Sequence, residues 1–273
     1  MIDTLILSGG GPSGIAYAGI LKALLENDIL RRSDLKEIIT TSVGILFAVL
    51  YLLDYTSSQI EKITLETELD KLLNIDDLEI DNLLLKLGLF DNKQIGTTIQ
   101  SFIKHKHNKN DLTLQELYDI IPIKLTVKVY NVDIGKTEYF SYQNQPLIKL
   151  STLSMITTAI PYFFQPIKYN DTLYVDGGLK GHFPIEVCES ENYLGLWIKG
   201  GTCKPSNFEI IKMVPIIGYT MNLMNDRDNN LEKYDTNKIF IYDISCGLNF
   251  SLDHNERQKI IEKGYDMTIN YLK

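Results

Sequence analysis

Apolar residues fall along this chain in two rhythms, short dense runs and longer stretches at helical spacing. The first short run, Thr4-Leu5-Ile6-Leu7-Ser8, predicts a buried strand that ends in Gly9-Gly10-Gly11-Pro12-Ser13-Gly14. From Ile15 to Glu26 the apolar residues Ile15, Ala18, Leu21, Ala23, Leu24 and Leu25 predict a helix packed on a sheet. Ile38-Ile39 predicts a second buried strand, and Val43 to Leu53, too long and too continuously apolar for a strand, predicts a buried helix. The chain therefore turns at Ser42. Ser58 with Glu61 has the spacing of a capping box, repeated by Asp91 with Gln94 and Thr113 with Glu116, so residues 57–120 are expected to be mainly helical. No linker rich in Pro, Gly or Ser bounds that region. It is read as a cover or lid inside one domain spanning 1–273.

Further on, Ile123 to Tyr130 alternates cleanly and predicts a strand, followed by another at Thr137 to Tyr142. A helix over Leu150 to Ile160 is expected to stop at Pro161, before an aromatic turn, Tyr162-Phe163-Phe164-Gln165-Pro166-Ile167. Leu173 to Asp176 predicts a strand ending on Gly177-Gly178; Leu194 to Ile198 and Lys238 to Ile244 predict two more, with helices near Phe208 to Asp226 and Asp253 to Leu272. Strands alternating with helices predict an α/β fold with a mostly parallel sheet.

Three places along this pattern carry chemistry. A serine on a tight strand-to-helix turn is exposed and strained, with a helix N-terminus behind it to stabilise negative charge. The Gly-x-Ser-x-Gly form of that elbow is incomplete here, since Thr40 stands at its first glycine while Gly44 remains. Ser42 reads either as a nucleophile or as the N-cap of the following helix. The strand–glycine loop–helix at the N-terminus is an anion cradle. Gly9, Gly11 and Gly14 match dinucleotide spacing, but Asp34 and Glu37 sit in a polar link, not at a strand end where a ribose-binding acid belongs. A triphosphate loop would need Gly-Lys-Ser/Thr, which is absent. Two amides aimed at an oxyanion need only the glycines, provided this strand lies beside the one carrying Ser42; a plain tight turn is the remaining reading. Asp176 places a carboxylate at a strand end, as a ligand-site residue or as an Asx-type turn.

Taken in order, Ser8 to Gly14, Thr41-Ser42-Val43-Gly44, Ala159 to Pro166 and Val175-Asp176-Gly177-Gly178 resemble the patatin-like phospholipase family, over Leu5 to Pro184. The resemblance implies a three-layer α/β fold with helices on both faces of the sheet and a helical cover, and lipid acyl hydrolysis by a Ser-Asp dyad. It needs neither cofactor nor metal. Ser42 would be the nucleophile and Asp176 its base; Gly10 and Gly11 would present amides to the oxyanion, with Gly9 and Gly14 shaping the loop and Thr40, Gly44, Gly177 and Gly178 forming the elbow and turn. The chain departs from the family at Ser13, where Arg or Lys is usual, at Thr40, and at His182, where Asn is common. The alternative is a lipid-binding or scaffolding protein on the same fold.

Charge and composition narrow the setting. A net charge of -8 argues against a nucleic-acid partner and against simple attraction to anionic lipid, so peripheral membrane contact would be apolar. Lys104-His105-Lys106-His107-Asn108-Lys109, the one basic cluster, reads as a solvated helix end before a headgroup or metal site. Cys188, Cys203 and Cys246 have spacings that suit neither disulfides nor zinc, and Val43 to Leu53, at 11 residues, falls short of a spanning helix. A soluble, cytoplasmic protein acting on phospholipid or another acyl lipid is the expectation. The bias to Ile, Asn, Lys and Tyr suggests an AT-rich genome, such as that of a large DNA virus acting in a host cell.

Overall fold

The computed structural model describes residues 1–73, 85–199, 231–246 and 248–273. Its elements are β1 (Thr4–Leu7), α1 (Ala16–Glu26), β2 (Glu37–Thr41), α2 (Gly44–Leu52), α3 (Ser57–Glu66), β3 (Gly88–Phe90), α4 (Lys93–His107), α5 (Leu114–Ile120), β4 (Lys124–Asn131), β5 (Lys136–Phe140), α6 (Leu150–Thr157), β6 (Tyr162–Phe164), β7 (Ile167–Tyr169), β8 (Thr172–Asp176), β9 (Tyr193–Lys199), β10 (Ile239–Asp243) and α7 (His254–Leu272). An 8-stranded sheet runs β10-β9-β1-β2-β4-β8-β7, with β5 also paired to β4. The five strands from β10 to β4 are parallel, each following its neighbour's direction; β5 and β8 run antiparallel to β4, and β7 antiparallel to β8.

Alternation along the strands sorts the core. Leu5 and Leu7 of β1 and Ile38 of β2 pack with α1, α2 and α6, whereas Ile6 and Ile39 point to the other face, against Phe183, Ile185 and Tyr193. The α/β, mostly parallel architecture expected from the sequence is the one observed. The helix expected near Phe208 to Asp226 lies outside the described residues, as does Cys203.

Several element expectations need correcting. The capping box of α3 is Thr56 with Gln59, both bonds present, so Ser58 and Glu61 lie inside the helix and Glu61 instead pairs with Lys22 at 2.8 Å. Asp91 does not open a capping box either. The N-cap of α4 is Asn92, whose amide turns inward to the Met155 carbonyl at 2.6 Å, while Asp91 accepts from the Lys93 N–H. Thr113 with Glu116 does cap α5. Within 57–120 the chain also forms β3, which pairs in parallel with β6, so the aromatic turn is a strand edge. Finally, α6 ends at Thr157, before Ile160, and the Ala159 carbonyl is taken by the Asp176 N–H at 2.9 Å.

Candidate active site

The elbow is built by the backbone. Ser42, between β2 and α2, has φ +52°, a left-handed conformation that costs a non-glycine residue on the order of 1 kcal/mol and that only surrounding contacts can hold. Its N–H donates to Thr157 Oγ1 at 2.9 Å; that hydroxyl donates in turn to the Lys128 carbonyl at 2.8 Å, which also accepts from Thr41 Oγ1. The N-cap position of α2 belongs to Val43, with no side-chain cap, which removes the capping role for Ser42. Ser42 Oγ instead donates to Asp176 Oδ2 at 2.6 Å. Thr40 fits because Gly44 was kept: a Cβ on Gly44 would lie 2.3 Å from Thr40 Oγ1 and 2.9 Å from the Ser8 carbonyl.

Asp176 arrives from the opposite direction. Because β8 is antiparallel to β4, its last residue descends to the level of Val129, one position past Lys128, which is paired with Thr41 at the end of β2. Oδ1 accepts from the Gly178 N–H at 2.7 Å, so the Asx-type turn forms too, and Oδ2 is left for Ser42. A Cβ on Gly177 would stand 2.4 Å from the Lys128 carbonyl, which brings the turn hard against β4. Burial pushes the Asp176 carboxyl up to about 7; the hydrogen bonds from Ser42 and Gly178 and the charge of Lys128 pull the other way.

The glycine loop lies beside this pair, since β1 neighbours β2. Gly9 packs against Ser42, where a Cβ would come within 3.0 Å of the serine Cβ, and its N–H is spent on the His182 carbonyl at 2.7 Å. Gly14 carries Val43, with room for no side chain of its own. Gly11, at φ +52°, opens a 3-10 turn over Gly11–Ile15. Among the described residues the Gly10 and Gly11 N–H groups have no hydrogen-bond partner.

Other candidates are placed elsewhere. His182 Nε2 accepts from Trp197 Nε1 at 2.9 Å, and burial lowers its proton affinity, so its ring serves the sheet rather than Ser42. Ser13 is buried and accepts from the Cys246 N–H at 3.0 Å. Glu37 begins β2, at the end of the strand remote from the glycine loop, and pairs with Lys124, which removes it as a ribose acid. In the basic cluster, Lys106 lies 4.4 Å over the Tyr55 ring and His105 Nδ1 is 3.1 Å from the Tyr55 hydroxyl, a packed helix end. Thr157, on α6, and Lys128, on β4, belong to no motif in the sequence; both are buried polar residues.

An apolar cavity of about 110 Å³ leads away from Ser42 and Gly11. Leu46 and Phe47 of α2, Ile63 of α3, Phe102 of α4, and Phe164 and Phe250 line it. A strained serine bonded to a buried carboxylate thus stands at the head of this cavity, beside a loop with two free amides.

The family model described as patatin-like phospholipase matches residues 5–188, and the chain belongs to that family. Probable lipid hydrolase 463L of Invertebrate iridescent virus 6 is 27% identical over 184 residues, 67% of this chain and 62% of that protein. Triacylglycerol lipase 4 of Saccharomyces cerevisiae is 32% identical over 148 residues, 50% of this chain but 14% of that protein. Among solved structures, VipD from Legionella pneumophila superposes with a TM-score of 0.66 at 17% identity, over 99% of this chain and 66% of VipD, a likeness of fold. The chain thus spans under two thirds of the length of these relatives. Among the described residues no helix is long and apolar enough to cross a membrane.

Proposed function

We propose that this chain is a lipid-ester hydrolase working through Ser42 and Asp176, one catalytic unit in which the described helices between residues 57 and 120 form a cover. The observation that carries the reading is the 2.6 Å bond from Ser42 Oγ to Asp176 Oδ2 at the head of an apolar cavity. Asp176 takes the Ser42 proton as Oγ attacks the acyl carbonyl, and the Gly10 and Gly11 amides meet the oxyanion. Collapse of the tetrahedral intermediate expels the alcohol, which receives the proton from Asp176, and leaves an acyl-serine. Water, deprotonated by Asp176, then attacks the acyl carbon, releases the fatty acid and returns the proton to Ser42. A carboxyl near 7 suits this base role, which one at its ordinary value would fill poorly.

The apolar lining of the cavity supports fatty acyl esters of phospholipids or related lipids as the substrate class, met by peripheral contact with a lipid surface. The names of the viral and yeast relatives point the same way. The test compares wild type with Ser42→Ala and Asp176→Asn, each shown folded by circular dichroism, on p-nitrophenyl butyrate and on phosphatidylcholine vesicles. Both variants are expected to lose on the order of a thousandfold or more in rate. An inactive wild type, or a Ser42→Ala protein that keeps its rate, would overturn the proposal in favour of a lipid-binding scaffold.

A further inference from the structure

Behind the candidate dyad lies a lysine that no solvent reaches. Lys128 is on β4, its side chain 1% exposed, and its Nζ donates to the carbonyls of Lys180 at 2.7 Å and Gly181 at 2.8 Å and to Glu186 Oε1. Three acceptors around one nitrogen require all three protons of an ammonium. Those two carbonyls belong to the turn that begins at Asp176. The same residue's main-chain carbonyl holds Thr157 and Thr41, and Thr157 holds the Ser42 N–H. One residue thus touches the supports of both partners, the turn through its side chain and the elbow through its backbone.

We infer that Lys128 is a positioning residue for the Ser42–Asp176 pair: its ammonium pins the backbone after Asp176 and supplies the positive charge that favours the Asp176 carboxylate, with Glu186 setting how much of that charge is felt. This rests on the dyad reading above. The titratable groups facing the two are Ser42 from the elbow, His182 beyond the turn, Glu186, and Tyr139 of β5, whose hydroxyl also donates to Glu186; Tyr234 lies within electrostatic reach of Glu186. His182 is disfavoured as a cation by burial and by Lys128 itself. Lys128 is therefore the positive charge the carboxylate feels, and Glu186 is the negative charge paired with it.

The signs make the inference testable. Removing the cation with Lys128→Met should raise the proton affinity of Asp176, while Glu186→Gln, which keeps an acceptor for Nζ but removes the opposing charge, should lower it. The Asp176 carboxyl is followed by carbon-13 NMR in aspartate-labelled protein, its signal assigned by loss in Asp176→Asn. Its titration midpoint is expected to move up by about one pH unit in Lys128→Met, to stay near wild type in Lys128→Arg, and to move down by about half a unit in Glu186→Gln. A midpoint unmoved or lowered in folded Lys128→Met, or unmoved or raised in Glu186→Gln, overturns the inference. If Lys128→Met does not fold, Glu186→Gln alone decides, since Glu186 is partly exposed. Loss of packing alone cannot give opposite shifts from these two variants. The titration needs no substrate, so an inert protein showing these shifts keeps the Lys128 assignment and removes only the hydrolase reading.

Discussion

The two ends of the parallel strands treat charge in opposite ways. At the N-terminal ends, Lys36 meets Asp3 at 3.3 Å and Lys124 meets Glu37 at 2.9 Å, beside a polar cleft that Tyr118 and Tyr142 also line. Burial would push the Asp3 carboxyl up, but hydrogen bonds from Ser190, Lys36 and Thr4 outweigh it and hold it below the usual carboxylate range. These charges are paired and reached by solvent. At the C-terminal ends, Asp176 is 2% exposed and bonded to a neutral hydroxyl, and its proton affinity is driven up. Paired surface charge is cheap and does little, whereas an incompletely compensated buried carboxylate costs stability and gains reactivity. The contrast is the one the proposed function requires, with reactivity at the C-terminal edge and stability at the other.

This contrast can be broken in graded steps. The largest effect on stability belongs to Asp176. Its carboxyl binds a proton more tightly in the folded chain than in the unfolded one, so the stabilisation it contributes is complete below about pH 4 and is lost as pH rises through about 7, on the order of 4 kcal/mol. Urea unfolding of Asp176→Asn should therefore lack this decline and show the variant more stable than wild type at pH 8. Next comes Thr157→Val, which leaves the Ser42 N–H without its partner in a buried place. About 1–3 kcal/mol of stability should go, together with roughly tenfold in ester hydrolysis as the elbow loosens. Smallest is Lys124→Met at the opposite edge. There the loss of the pair with Glu37 should shift stability by less than about 1 kcal/mol, diminish further in high salt, and leave hydrolysis unchanged.

What the sequence made legible was local. The glycine loop, the turn at Ser42 and the Asp-Gly-Gly turn are each fixed by a few consecutive residues, and each sits where its pattern put it. What it concealed depends on which strand lies beside which. That β8 runs antiparallel, and so delivers Asp176 to the end of β2, is written in no single segment. Lys128 illustrates the same limit. In Lys124-Leu125-Thr126-Val127-Lys128-Val129 the alternation suggests one solvated face, yet β4 is covered on both, and Thr126 and Lys128 are as buried as Val127. A lysine on a strand central to the sheet was the available signal. Thr157 is equally quiet, one hydroxyl among Ser151, Ser154 and Thr158 on a buried helix. The misplaced cap of α3 arose because Thr56 with Gln59 and Ser58 with Glu61 both offer the same spacing two residues apart, and only the observed backbone chooses between them.

The central claim is that Ser42 is a nucleophile activated by Asp176, and reaction with a fluorophosphonate, followed by mass spectrometry of the intact protein and mapping of the adduct across pH, tests it most directly. The account predicts one adduct, on Ser42, forming about tenfold faster per pH unit up to a plateau near pH 7, absent in Ser42→Ala and strongly slowed in Asp176→Asn. An adduct on another residue, no adduct at all, or a rate independent of pH between 5 and 8 would contradict it.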